Sequence, residues 1–182
     1  MQYLSEIIEE LKRSVELISD EEAEKLVNGI LEAKKVFVAG AGRSGFMARS
    51  FAMRMMHMGI DAYVIGETVT PNFEPDDILI IGSGSGETKS LVSMAEKAKR
   101  IGGKITAVTI FSDSTIGKLA DFTIKLPGAP KDQTEGDYKT IQPMGSLFEQ
   151  TLLLFYDAII LRFMEKKGLN TGKMYGRHAN LE

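Results

Sequence analysis

The chain has 182 residues, 43% of them hydrophobic and 26% charged, the balance of a single ordinary globular domain with room for a sizeable core. A formal net charge of -3 supplies no broad field for polyanions, so neither nucleic acid nor an acidic membrane surface is an expected partner. With no cysteine and only two histidines, the widely separated His57 and His178, disulfides, thiol nucleophiles and zinc or redox-metal sites are poor readings, although carboxylates could still hold magnesium.

The first residues mix acids with apolar side chains and lack the basic-then-apolar order of a leader peptide. The longest apolar stretch, 152–161, is broken by Tyr156 and Asp157 and falls short of the roughly 20 residues a spanning helix needs. A cytoplasmic location is the expectation.

In chain order, Ile7, Ile8, Leu11, Val15 and Ile18 fall near helical spacing and predict an amphipathic helix over 3–18. A second helix begins at Ser19, with Glu22 three residues on as the other half of a capping box. Strands come next at 36–39, 62–65, 78–81, 105–110 and 122–126, with helices at 44–58 and 87–101 and a short one near 115. The strands are continuous apolar runs, the pattern of a parallel sheet covered on both faces. The expected fold is therefore α/β: a five-stranded parallel sheet flanked by helices, one domain over 1–182. It divides into N-terminal helices (1–34), core (35–127), a polar loop (128–144), a C-terminal helix (145–167) and a tail (168–182). A loop that long, rich in Pro, Gly, Lys and Asp, reads as a lid or binding element. Met47, Met53, Met55, Met56 and Met58 cover more than one face of their helix, which suits burial against another subunit as well as a sheet, or the core alone.

Two strand ends carry the chemistry. The first runs into Gly40-Ala41-Gly42-Arg43-Ser44-Gly45, which fits G-x-G-x-x-G; the pattern serves a dinucleotide, with Glu67 as a ribose acid, or simply a tight strand-to-helix turn. The third runs into Gly82-Ser83-Gly84-Ser85-Gly86-Glu87-Thr88. Three hydroxyls at one helix start exceed what a cap requires, while the glycines bare backbone N–H groups where the helix dipole favours an anion. With strand order 2-1-3-4-5, both loops meet at the crevice between strands one and three, where one phosphate could take Gly42, Arg43 and Ser44 from one side and Ser83, Gly84, Ser85, Gly86 and Thr88 from the other. Neither loop has Walker spacing.

The loop from Ser83 to Thr88 resembles the second phosphate loop of the SIS (sugar isomerase) domain family, Ser-x-Ser-Gly-Glu-Thr. Gly84 stands where many of its members have Gln, so contacts by that side chain are lost. The stretches 40–45, 51–59, Gly66-Glu67-Thr68, 143–149 and 178–181 extend the resemblance over nearly the whole chain, toward the branch of the family that isomerises 3-hexulose phosphates. The resemblance implies interconversion of D-arabino-3-hexulose 6-phosphate and fructose 6-phosphate in the ribulose monophosphate route of formaldehyde fixation or its reversal. It implies no cofactor and no metal, and a homo-oligomer, a tetramer. Another sugar-phosphate isomerase of the family, or a sugar-phosphate sensor, is the alternative; residues 1–34 offer a sensor no basic recognition surface.

Moving the carbonyl from C3 to C2 needs a base at C2, and a carboxylate suffices. Glu149 matches the base of the wider family. Locally, Ser146-Leu147-Phe148-Glu149 is also a capping box of the same form as Ser19 to Glu22. Glu87, beside the phosphate hydroxyls, reads as a brace between loops. His178 could protonate the enediol oxygens from a neighbouring subunit, or be an ordinary tail residue. His57 reads as a core or interface histidine. Arg43 could screen the phosphate or hold an acid such as Glu67.

Overall fold

The computed structural model describes residues 1–129, 131 and 139–181. Among these the chain runs α1 (Gln2–Val15), α2 (Asp20–Glu32), β1 (Val36–Gly40), α3 (Gly42–His57), β2 (Ala62–Val64), β3 (Ile78–Gly82), α4 (Lys89–Ile101), β4 (Lys104–Thr109), α5 (Thr115–Leu119), β5 (Phe122–Lys125), α6 (Ser146–Lys167) and α7 (Thr171–Tyr175). The five strands form one parallel sheet, as the apolar runs predict, and their order is β2-β1-β3-β4-β5, the order that brings the two glycine-rich loops together. Much of the polar loop expected over 128–144 lies outside the described residues.

Alternate side chains of each strand enter different layers. Val36 and Val38 of β1 with Ile78 and Ile80 of β3 pack against α2, α3 and α6. Phe37, Ala39, Leu79 and Ile81 pack against α4 and α5. Strands buried on both faces need no polar alternation, which is why they read as unbroken apolar runs. Helix α6 lies in the thicker layer, with Tyr156 stacked on Phe51 of α3 at 4.2 Å between ring centroids, a contact contributing about 1 kcal/mol beyond area burial. It packs so close to the sheet that a Cβ on Gly82 would lie 3.0 Å from Tyr156 Oη and from Leu152 Cδ2.

Two local expectations change. The helix predicted over 3–18 stops at Val15, and the tail contains a short helix, α7, whose N-cap Asn170 accepts a hydrogen bond from Lys173 N. At Ser19 only half of the capping box forms. Ser19 Oγ accepts from Glu22 N at 3.3 Å, but Glu22 Oε2 accepts from Lys125 N at 3.2 Å and thereby ties α2 to β5.

Candidate active site

In the sheet register Gly40 sits opposite Gly82, so the two glycine-rich loops leave neighbouring strands at the same level before α3 and α4 diverge to opposite faces. In the first loop the glycines serve the turn. A Cβ on Gly40 would stand 2.9 Å from Gly45 N, one on Gly45 would stand 2.8 Å from Gly40 O, and Gly42 has a φ of 57°. Ser44 is buried in the first turn of α3, and with Ala41 it lines the cavity above the strand ends.

The second loop is held from three sides. Ser83 N donates to Val108 O, Ile110 N to Gly84 O and Ile116 N to Gly86 O, at 3.0 to 3.2 Å. Within it, Gly86 N donates to Ser83 Oγ and Glu87 N to Ser85 Oγ, both at 3.2 Å. Each serine oxygen is thus an acceptor for the loop's own backbone, which leaves its O–H to donate elsewhere. Helix α4 starts two residues later than predicted; Thr88 is its N-cap by position but makes no side-chain capping bond. Gly86, at φ 65°, is obligatory, since a Cβ there would lie 2.0 Å from Ser114 Oγ. Glu87 does brace the loops: its Oε1 accepts from Thr115 N at 2.7 Å, and this bond, with the Thr115 hydroxyl, holds the carboxyl below its ordinary range.

The third wall is the start of α6, and here the capping box expected at Ser146 does not form. The N-cap is Gly145, without a side-chain bond; Ser146 already lies in the helix, its N–H donating to Pro143 O at 3.2 Å. Glu149 therefore sits one position beyond a capping-box glutamate. Its side chain, 8% exposed, faces the cavity and pairs through Oε2 with Arg43 Nε at 2.7 Å. Arg43 is thus bound to Glu149, while Glu67, the partner considered for it, pairs with Arg49.

The cavity has a volume of about 270 Å³, enough for a small monophosphate. Ser44, Ser83, Gly84, Ser85, Thr88 and Glu149 all line it. Gly42, Arg43 and Gly86 lie beside them in the chain without lining it.

A sequence model of the SIS domain family matches residues 29–154. The chain belongs to the SIS domain family. It is 60% identical to the 3-hexulose-6-phosphate isomerase of Bacillus subtilis, over all of this chain and 98% of that one, and 38% identical to the enzyme of the same name from Mycobacterium gastri, over 98% of this chain and 89% of the relative. Among solved structures, a hypothetical protein of Methanococcus jannaschii superposes with a TM-score of 0.85 at 36% identity over the full length of both chains. Its structure was taken to infer a molecular function of 3-hexulose-6-phosphate isomerase.

Within this SIS domain the cavity also has walls that the motifs do not announce: Leu91, Ile110, Ala129 and Lys131. Lys131 stands in the Pro-, Gly- and Lys-rich segment whose composition suggests a binding element; composition marks the segment and cannot single out the residue. His178 does not join the cavity of its own SIS domain. Its ring stacks on that of His57, 5.4 Å away, at the last turn of α3. Helix α3 begins at the cavity and spans about 22 Å, so the two ends are well separated. Burial, followed by the charges of Arg54 and His178, holds the buried His57 imidazole below its ordinary value. Among the described residues no group of three or more His, Asp or Glu side chains is placed to share a metal ion, and no helix is long and apolar enough to cross a membrane.

Proposed function

We propose that the protein interconverts D-arabino-3-hexulose 6-phosphate and D-fructose 6-phosphate through an enediol. The observation that carries this reading is the convergence, on one small cavity, of hydroxyls from two helix starts with a carboxylate from a third. The names of the full-length relatives in Bacillus and Mycobacterium support the substrate.

The phosphate takes the O–H groups of Ser83, Ser85, Thr88 and Ser44. The N-terminal ends of α3 and α4 add exposed N–H groups and their dipoles, and Lys131 brings a full positive charge to the wall. Glu149 is the base. With Oε2 held by Arg43, Oε1 on the Gly145 side takes the C2 proton; the C2–H electrons form the C2–C3 double bond, and the C3 carbonyl oxygen gains a proton to give the enediol. Loss of the proton on O2 then re-forms a carbonyl at C2 while C3 receives a proton, so the reaction is redox-neutral overall. Exposed Phe46, Met53 and Met56 on α3 and Tyr3, Leu4 and Ile8 on α1 suit contacts between copies in a tetramer, which sedimentation would measure.

The deciding experiment offers the purified protein 3-hexulose, pentose and heptose phosphates in deuterated water. The expected result is fructose 6-phosphate formed from the 3-hexulose phosphate, with solvent deuterium entering the reacting carbon. Turnover of another sugar phosphate in its place would assign the site to a different isomerisation, and binding without turnover would assign it to a sensor.

A further inference from the structure

Helix α1 lies outside the segment matched by the SIS family, yet it places one carboxylate in the interior. Glu10 is 4% exposed. A buried carboxylate is costly unless it is well bonded, and one short segment supplies Glu10 with three donors. Thr140 Oγ1 donates to Oε2 at 2.6 Å, Gln142 Nε2 to Oε2 at 2.9 Å and Ile141 N to Oε1 at 2.8 Å. Thr140 Oγ1 in turn accepts from Gln142 N at 3.0 Å, so residues 140–142 fold around the carboxylate. Burial pushes this carboxyl up, and the three hydrogen bonds with the nearby Arg13 charge more than offset it, leaving it below its ordinary value.

Immediately after residues 140–142 the chain enters the cavity wall. Pro143 O accepts from Ser146 N, Met144 has a φ of 59°, and Gly145 is the N-cap of α6, three residues before Phe148 and four before Glu149. Among the described residues Met144 is the one non-glycine with positive φ, a conformation that costs about 1 to 3 kcal/mol and persists only where its surroundings impose it. On the upstream side those surroundings are the Glu10 anchor; on the downstream side they are the packing of Phe148, Leu152 and Tyr156.

We propose that Glu10 is a positioning residue for the isomerisation. Its carboxylate fixes residues 140–142 so that the Met144 turn delivers the first turn of α6, and with it Glu149, to the cavity. The inference rests on the reading of Glu149 as the base. It makes the N-terminal helix part of the catalytic apparatus although Glu10 touches no substrate.

The test compares the full chain with Glu10→Ala, measuring kcat, KM, melting temperature and amide hydrogen exchange. Loss of the anchor displaces Glu149 but leaves the serine loop intact. We therefore expect kcat to fall about 10- to 100-fold with KM within about threefold, since misplacing a reacting group by an ångström has effects of that order. Exchange should accelerate at the amides of Ile141 and Gln142 and stay slow in β1, β3 and β4. Wild-type kcat in Glu10→Ala, or a rise in KM matching the loss of kcat, overturns the proposal. If Glu10→Ala does not fold, Gln142→Ala keeps two of the three donors and must show the same split at smaller amplitude; unchanged kcat there overturns it equally. Failure of the underlying reading is distinguishable, because it appears as a wild-type protein that does not isomerise the sugar, whereas the local exchange change reports on the anchor without reference to activity.

Discussion

Two segments of this chain, Ser19-Asp20-Glu21-Glu22 and Ser146-Leu147-Phe148-Glu149, carry the same local pattern, and the fold puts them to different uses. At the first, the chain enters the helix from an extended residue, so Ser19 is the N-cap and its Oγ accepts from Glu22 N. At the second, the turn at Pro143 and Met144 brings the chain into the helix one residue earlier. Gly145 is the cap, Ser146 is the first helical residue and Glu149 is the fourth. A glutamate at the fourth position is out of register for a capping box. The shift of one residue releases Glu149 from the helix start and turns it toward Arg43 and the cavity. The entry angle of the chain, rather than the serine and the glutamate themselves, decides whether such a pair is structural or free for chemistry.

The sharpest way to break this comparison is to change both glutamates to glutamine. For Glu149→Gln the expected loss of kcat is about 100- to 10,000-fold, the usual cost of removing a general base, with substrate still bound. The helix start does not use this side chain, and its ion partner Arg43 is 59% exposed, so stability should fall by no more than about 1 kcal/mol. Exchange of the C2 proton with solvent deuterium should stop as well; near-normal exchange would move the base elsewhere. Glu22→Gln should leave kcat unchanged. Its amide oxygen can still accept from Lys125 N, so even the tie to β5 is largely kept.

A smaller effect is expected in the serine loop, where Ser83→Ala, Ser85→Ala and Thr88→Ala each remove one of the donors proposed for the substrate phosphate. Such a bond contributes about 1.5 to 3 kcal/mol, so KM should rise about 10- to 150-fold in each variant while kcat changes less. Ser83→Ala and Ser85→Ala also withdraw an acceptor from Gly86 N and Glu87 N, and should lower the melting temperature where Thr88→Ala does not. Three unchanged Michaelis constants would refute the phosphate cradle.

The smallest effects return to the two serines. Ser19→Ala removes a working cap and should cost about 1 kcal/mol of stability with full activity. Ser146→Ala removes no capping bond and should cost less in a denaturant titration. Equal losses would mean that the two helix starts are equivalent after all.

The sheet was legible because its strands are short, mostly apolar runs, with the inner strands β1 and β3 covered on both faces, and Gly40 and Gly82 mark where those two runs end side by side. The density of hydroxyls from Ser83 to Thr88 was equally plain, since that loop is contiguous in sequence. The pairing of charges distant in the chain was out of reach. No local signal pairs Arg43 with Glu149, nor Arg49 with Glu67, because each pair is closed by helix packing across the crevice or around β2. Likewise, nothing in the spacing of α1 says that Glu10 will be buried against residues 140–142, or that the His178 ring will rest on His57 at the far end of α3. Sequence determined which segments become strands, the longer helices and the glycine- and hydroxyl-rich loops, since burial period, glycine and hydroxyl content are local properties. Tertiary structure decided which charges meet and which carboxylate faces the cavity, because those depend on the register and entry angle of packed elements.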